Sequence, residues 1–95
     1  MGQIAERVHT DPRMIELLEE RAFALKDEAV VEMELDDGRR ICGVVVALPT
    51  IQVFRDAAGN EGHNTLVRLE DACDPRREHY VWLDRVISIT QMGTA

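Results

Sequence analysis

Ninety-five residues suffice for one small domain and not for two, and 45% apolar with 31% charged residues is the composition of a folded chain, not a disordered one. The formal charge of -7 weighs against general binding to nucleic-acid phosphates, although the whole excess lies in residues 1–37, with eleven acids and four bases, and the remainder is balanced at seven of each. The longest apolar run, Ile41 to Leu48, is too short to span a bilayer, and the opening MGQIAERVHT has no apolar core of a secretory signal; a cytoplasmic protein with Cys42 and Cys73 reduced is the expectation, with no membrane partner.

Residues 12–26, PRMIELLEERAFALK, predict a helix. Ile15, Leu18, Ala22 and Leu25 recur at helical spacing with Met14 beside them, Asp11 is placed to cap, and Pro12 suits the first helical position. Glu16, Glu19 and Glu20 make the outer face acidic. The period then falls to two: Val31, Met33 and Leu35 alternate with Glu32, Glu34 and Asp36, the pattern of a half-buried strand.

Asp37-Gly38 predicts a two-residue hairpin turn. That turn pairs Asp36 with Arg39, Met33 with Cys42 and Val31 with Val44, and so gathers Val31, Met33, Leu35, Cys42, Val44, Val46 and Leu48 on one core face. Ile41, Gly43, Val45 and Ala47 then form a second apolar stripe, which needs the helix or another subunit as a cover. Gly43 marks a bend in a long strand. Residues 51–54 extend the sheet, 55–64 form a loop, 65–72 a third main strand and 73–78 a turn, and 79–83 and 86–90 are short strands around Asp84-Arg85. The expected fold is α+β, mainly β: a single domain over 1–95, with a helix at about 12–26 and a five-stranded, strongly bent antiparallel barrel over about 28–91.

The stretches MELDDGRRICGVV, NTLVRLEDA and WLDRVISI resemble the Sm/LSm-like (Hfq-like) family of small SH3-like barrels, and the resemblance covers residues 10–91. The chain also looks like a small, functionally uncharacterised bacterial family with a variant Sm-like barrel, and that likeness is nearer. The Sm resemblance implies RNA binding through a loop before the third main strand and a basic residue before the last. Asp56 and Asn64 match the first and Arg85 the second. Two departures stand against the carry-over: AAGNEGH is inserted between Asp56 and Asn64, and Val86 replaces the glycine that follows the basic residue in the family.

No cofactor or metal is expected. Cys42, Cys73, His63 and His79 fit no paired-ligand spacing, and no nucleophile or phosphate-loop motif assembles. Arg39 and Arg40 are candidate phosphate contacts, set against Asp36 on a solvated rim. Tyr80 and Trp82 share a face by alternation and, with Ile41, Val45 and Ala47, are candidates for an interface. The sequence thus points to a non-enzymatic binding or assembly module that partners itself. The alternatives are RNA binding through Asp56, Asn64 and Arg85, and a small enzyme around Cys73 and His79.

Overall fold

A computed structural model of the chain describes residues 4–94. Helix α1 spans Pro12–Ala24 and starts as its sequence dictates: the Asp11 carboxylate accepts from the Arg13 N–H at 3.0 Å, with Pro12 next. The helix buries Leu18 and, just past its end, Leu25. Met14 and Ala22 pack beside them.

Seven strands follow: β1 Ala29–Leu35, β2 Arg40–Val45, β3 Gln52–Arg55, β4 Glu61–Asn64, β5 Leu66–Asp71, β6 Glu78–Trp82 and β7 Val86–Thr94. Five form an antiparallel sheet in the order β6-β5-β2-β1-β7, and β3 and β4 form a separate hairpin. The outer strands β6 and β7 are joined by a 3-10 turn at Leu83–Arg85 but are not hydrogen-bonded to each other among the described residues. Among the described residues the barrel-like sheet therefore keeps two unpaired edges. One apolar cluster fills it, built from Leu18 and Leu25 of the helix region and from Val31, Met33, Leu35, Val45, Val67, Leu69, Val81, Leu83 and Val86. No described helix is long and apolar enough to cross a membrane.

The first hairpin corrects the expected register. The turn holds three residues, Asp36 to Gly38: Gly38 N–H donates to Leu35 at 3.0 Å and Leu35 N–H to Arg39 at 2.8 Å. A two-residue type I′ turn needs positive φ at both central positions, and here Gly38 has it (+87°) while Asp37 does not. Asp37 is instead held by its own carboxylate, which accepts from the Arg39 N–H at 3.0 Å. Val31 consequently faces Gly43, and Met33 faces Ile41.

A slip of one residue turns every β2 side chain to the other face. Val45 is buried and Ile41 packs on the core, whereas Cys42 and Leu48 are exposed. The stripe proposed as an interface is thus largely the chain's own core: Ile41 and Val45 face inward, and only Ala47, beyond the end of β2, is exposed. Gly43 lies where close approach demands it. A Cβ there would come within 2.6 Å of the Glu70 carbonyl oxygen and 3.0 Å of the Leu69 Cβ.

Two further differences concern lengths. Residues 61–64, expected in a loop, pair with β3 from Gln52↔Asn64 to Arg55↔Glu61. The last strand continues to Thr94, because β1 extends far enough to pair with it through two bulges.

Candidate functional site

The three residues singled out by the Sm resemblance do not converge on a free binding surface. Asp56 closes the β3–β4 turn, accepting from Ala58 N–H at 3.0 Å, Asn60 N–H at 2.9 Å and the Asn60 side chain at 3.2 Å. The Asn60 backbone bond leads the causes that hold the Asp56 carboxyl below the usual carboxylate range, followed by the Asn60 side chain.

Asn64 is 0% exposed. Its amide donates to the Arg7 carbonyl at 2.9 Å and its oxygen accepts from Thr65 N–H at 2.8 Å. Arg85 lies among acids: its guanidinium reaches Asp36 and Asp37 at 3.1 Å each and Glu6 at 3.6 Å. The hydrogen bond to Asp36 is the leading cause that raises its pKa further.

Two of these contacts, Asn64 to Arg7 and Arg85 to Glu6, reach the segment ahead of α1, which lies across the sheet as a strap. Ala5 N–H donates to the Arg55 carbonyl at 2.9 Å, and His9 and His63 exchange backbone bonds of 2.9 and 2.7 Å. The strap passes so close to β4 that a Cβ on Gly62 would meet His9 backbone atoms at 2.9 Å. The Asp84 carboxylate, nearly buried, holds it from below, with Arg7 Nε at 3.1 Å and His9 Nε2 at 2.8 Å. Arg21 lies near the same carboxylate, and burial lowers the Arg21 pKa against that attraction. Nothing in the spacing of these residues announces the strap, because its partners lie some fifty to eighty positions downstream.

The other candidates are also engaged. Arg39 pairs with Asp37 at 2.8 Å, and Arg40 with Glu32 at 3.4 Å and Glu34 at 3.7 Å, so both guanidinia sit beside carboxylates on the solvated rim. Trp82 is half-buried and meets Phe54 edge to face, with ring centroids 5.0 Å apart, which ties the β3–β4 hairpin to β6. Tyr80 projects from β6 and is 60% exposed. A polar cleft of about 200 Å³ beside it includes Glu6, Arg39, Glu78, His79, Trp82 and Arg85 in its lining, so both signs of charge are present.

His79 bonds Asp71 at 2.7 Å, and this leads the causes that depress the Asp71 carboxyl, followed by the Cys73 and Asp74 N–H groups. The Asp71 carboxylate also caps the following turn, accepting those two N–H groups at 3.0 Å each. His79 makes no hydrogen bond to the Cys73 thiol among the described residues.

What remains open is the sheet edge. β7 pairs with β1 on one side and has no described partner on the other. Its two bulges fall at Ile87 and Met92, the residues skipped between Val86 and Ser88 and between Gln91 and Gly93. These two are 56% and 60% exposed. Bulges redirect the side chains of an edge strand, and both here turn an apolar one to solvent. A second apolar surface, a groove of about 430 Å³ lined by Ala22, Phe23, Leu25, Leu48, Pro49 and Ile51, lies between the helix and the segment after β2. The readable signal for the β7 edge was composition: VISITQMGT holds no charge.

Comparison with known proteins bears on the whole chain. Residues 2–92 match the model of DUF3247, a domain of unknown function. The chain belongs to the DUF3247 family. A solved Xanthomonas campestris protein, whose crystal structure is described as adopting a novel variant of the Sm-like motif, is 34% identical. It superposes with a TM-score of 0.89, the match covering 97% of this chain and 99% of that one. No curated protein matches the chain. This DUF3247 chain therefore has the Sm-like variant fold that its sequence resembles, and neither relative brings a named function.

Proposed function

We propose that this DUF3247 protein is a non-enzymatic binding module that works as an assembly of its own copies, joined through the free edge of β7. The observation that carries this reading is the character of that edge. Nine residues run from Val86 to Thr94 without a charged side chain, in a chain in which 31% of residues are charged. Proteins usually blunt an outer strand with charge, proline or bulges; β7 has two bulges but no charge and no proline. Here the exposed additions are Ile87 and Met92.

The opposite edge, β6, also has no described partner and offers Tyr80. A β6 edge set against the β7 edge of a second copy makes a head-to-tail contact, which closes into a ring or grows along an axis. Ala47 and Tyr80 remain available as interface residues, while Trp82 is occupied by Phe54.

Sm-type RNA binding draws no support from the geometry, since Asp56, Asn64 and Arg85 all have partners within the chain. A Cys/His enzyme draws none either, since Asp71 and His79 serve a turn. The likeness to a Xanthomonas protein supports a bacterial source, and the two free thiols fit a cytoplasmic setting. The test is the mass in solution from low to high micromolar concentration. Multiples of 10.8 kDa are expected, and a monomer throughout rejects the proposal.

A further inference from the structure

We propose that the apolar groove beside α1 docks a basic amphipathic helix of another protein, one with leucine-like side chains on one side and lysine or arginine on the other. This rests on the reading as a binding module, for which it names a partner, and does not depend on the β7 edge. The groove of about 430 Å³ runs between α1 and the segment after β2. Leu25, Pro49 and Ile51 line it, together with Phe23 and Leu48, which are 79% and 63% exposed. Leu48 and Pro49 also line a second groove, of about 360 Å³, which takes in Val53, Phe54 and Leu66. Val53 is exposed as well. Two apolar grooves that share a wall suit a helix with several anchoring side chains on one side better than one compact small molecule.

Charge selects which helix. Elsewhere acids are matched by arginines across the sheet, as Glu32 and Glu34 are by Arg40, and Glu78 by Arg68. Beside the groove they are not. Glu16, Glu19 and Glu20 precede Phe23 by seven, four and three positions, so all three lie on its side of α1. Asp27 and Glu28 follow the helix. All five are exposed, and none makes an ion pair among the described residues.

The bases of this region are Arg13, Arg21 and Lys26, and Arg21 is turned away to the Leu83 carbonyl at 3.4 Å. Lys26 holds its Nζ 4.2 Å from the centre of the Phe23 ring, so the ring beside the groove already seats a cation. A second copy of the chain would set the same five acids and a formal charge of -7 against these. Membrane and nucleic-acid phosphates would meet them with like charge too. A cationic helix meets them with opposite charge and brings apolar side chains for the groove.

The test adds the intact chain to a fluorescein-labelled model helix of leucine and lysine, about 15 residues long with the leucines on one side, and reads anisotropy. The expected dissociation constant is about 1–100 μM at physiological salt, weakening as salt rises. A peptide of the same composition with its leucines scattered round the helix should bind about tenfold more weakly or worse. Phe23→Ala with Leu48→Ala should weaken binding by about tenfold or more, and so should Glu16→Lys with Glu19→Lys and Glu20→Lys. All five positions are exposed, so circular dichroism should not change. Ile87→Lys with Met92→Lys should leave peptide binding intact, so this proposal and the β7 assembly can fail separately. No binding, equal binding of the scattered peptide, binding indifferent to either groove variant, or binding lost with the β7 variant would overturn the proposal. So would a Phe23→Ala, Leu48→Ala variant that lowers the mass of the protein alone, which gives the groove to a second copy. Sedimentation of the wild type with phosphatidylcholine vesicles that this variant abolishes would also overturn it, giving the groove to a membrane.

Discussion

Asn64→Ala separates a structural asparagine from a ligand-binding one. The side chain is fully buried and makes two bonds, to the Arg7 carbonyl at 2.9 Å and from Thr65 N–H at 2.8 Å. Truncation leaves the buried Thr65 N–H and the part-buried Arg7 carbonyl without those partners, and an unsatisfied buried group costs about 1–3 kcal/mol. With the part-buried carbonyl at about 1 kcal/mol, the two together remove about 2–4 kcal/mol from a domain whose stability is of the order of 5–15 kcal/mol. For a chain of this size 1 kcal/mol lowers Tm by about 4–8 °C, so a fall of about 8–32 °C is expected in calorimetry. The loss should also loosen the strap, so the Ala5 and His9 amides, which bond Arg55 and His63, should exchange faster with deuterium than those of β1. A Tm within about 2 °C of wild type would refute the reasoning, because an asparagine free to serve a ligand makes no such contribution.

Gly43→Ala places a methyl 2.6 Å from a backbone oxygen that cannot yield without parting β2 from β5, and a loss of about 1–3 kcal/mol in urea unfolding is expected; a neutral result would mean the strands are not so close. Val45→Ala should cost about 1–3 kcal/mol and Val44→Ala less than half as much, because the three-residue turn faces Val45 inward; the reverse order would restore the two-residue register. The Asp71 carboxyl is depressed first by His79 and then by two backbone N–H groups, so its contribution to stability is present above the ordinary value of about 3.9 and is lost as pH falls through the lower folded value. The stability gap between wild type and Asp71→Asn should therefore shrink on acidification below about pH 4, and a gap constant down to about pH 2 would contradict that assignment.

The sequence was most legible where one local rule had no competitor. Asp11-Pro12 and the Leu18 and Leu25 spacing give the helix directly, and the alternation of Val31, Met33 and Leu35 gives β1 with its buried face. The hairpin was legible as a hairpin but not in its register. Asp37-Gly38 suits a two-residue turn and a three-residue turn alike, and β2 is apolar on both faces, so periodicity could not choose between them. Residues 61–64 read as a loop because EGHN has neither alternation nor strand propensity; it is a strand because β3 and the strap fix its backbone from both sides. The candidate site fared likewise. Asp56 and Arg85 stand at a turn and among acids whose partnership is visible only once the chain is folded, and the role of Asn64 depends on Arg7, fifty-seven positions away.

The central claim is that an uncharged free edge joins copies of this chain, and it is tested most directly by light scattering on the wild type beside an Ile87→Lys, Met92→Lys double variant. Both side chains are exposed, so the variant should keep the fold, as its circular dichroism will show, while placing two charges on the edge. The account predicts a wild-type mass that is a multiple of 10.8 kDa and a variant mass of one chain. An oligomer that survives both substitutions unchanged, or a wild type that is monomeric at every concentration, would contradict it.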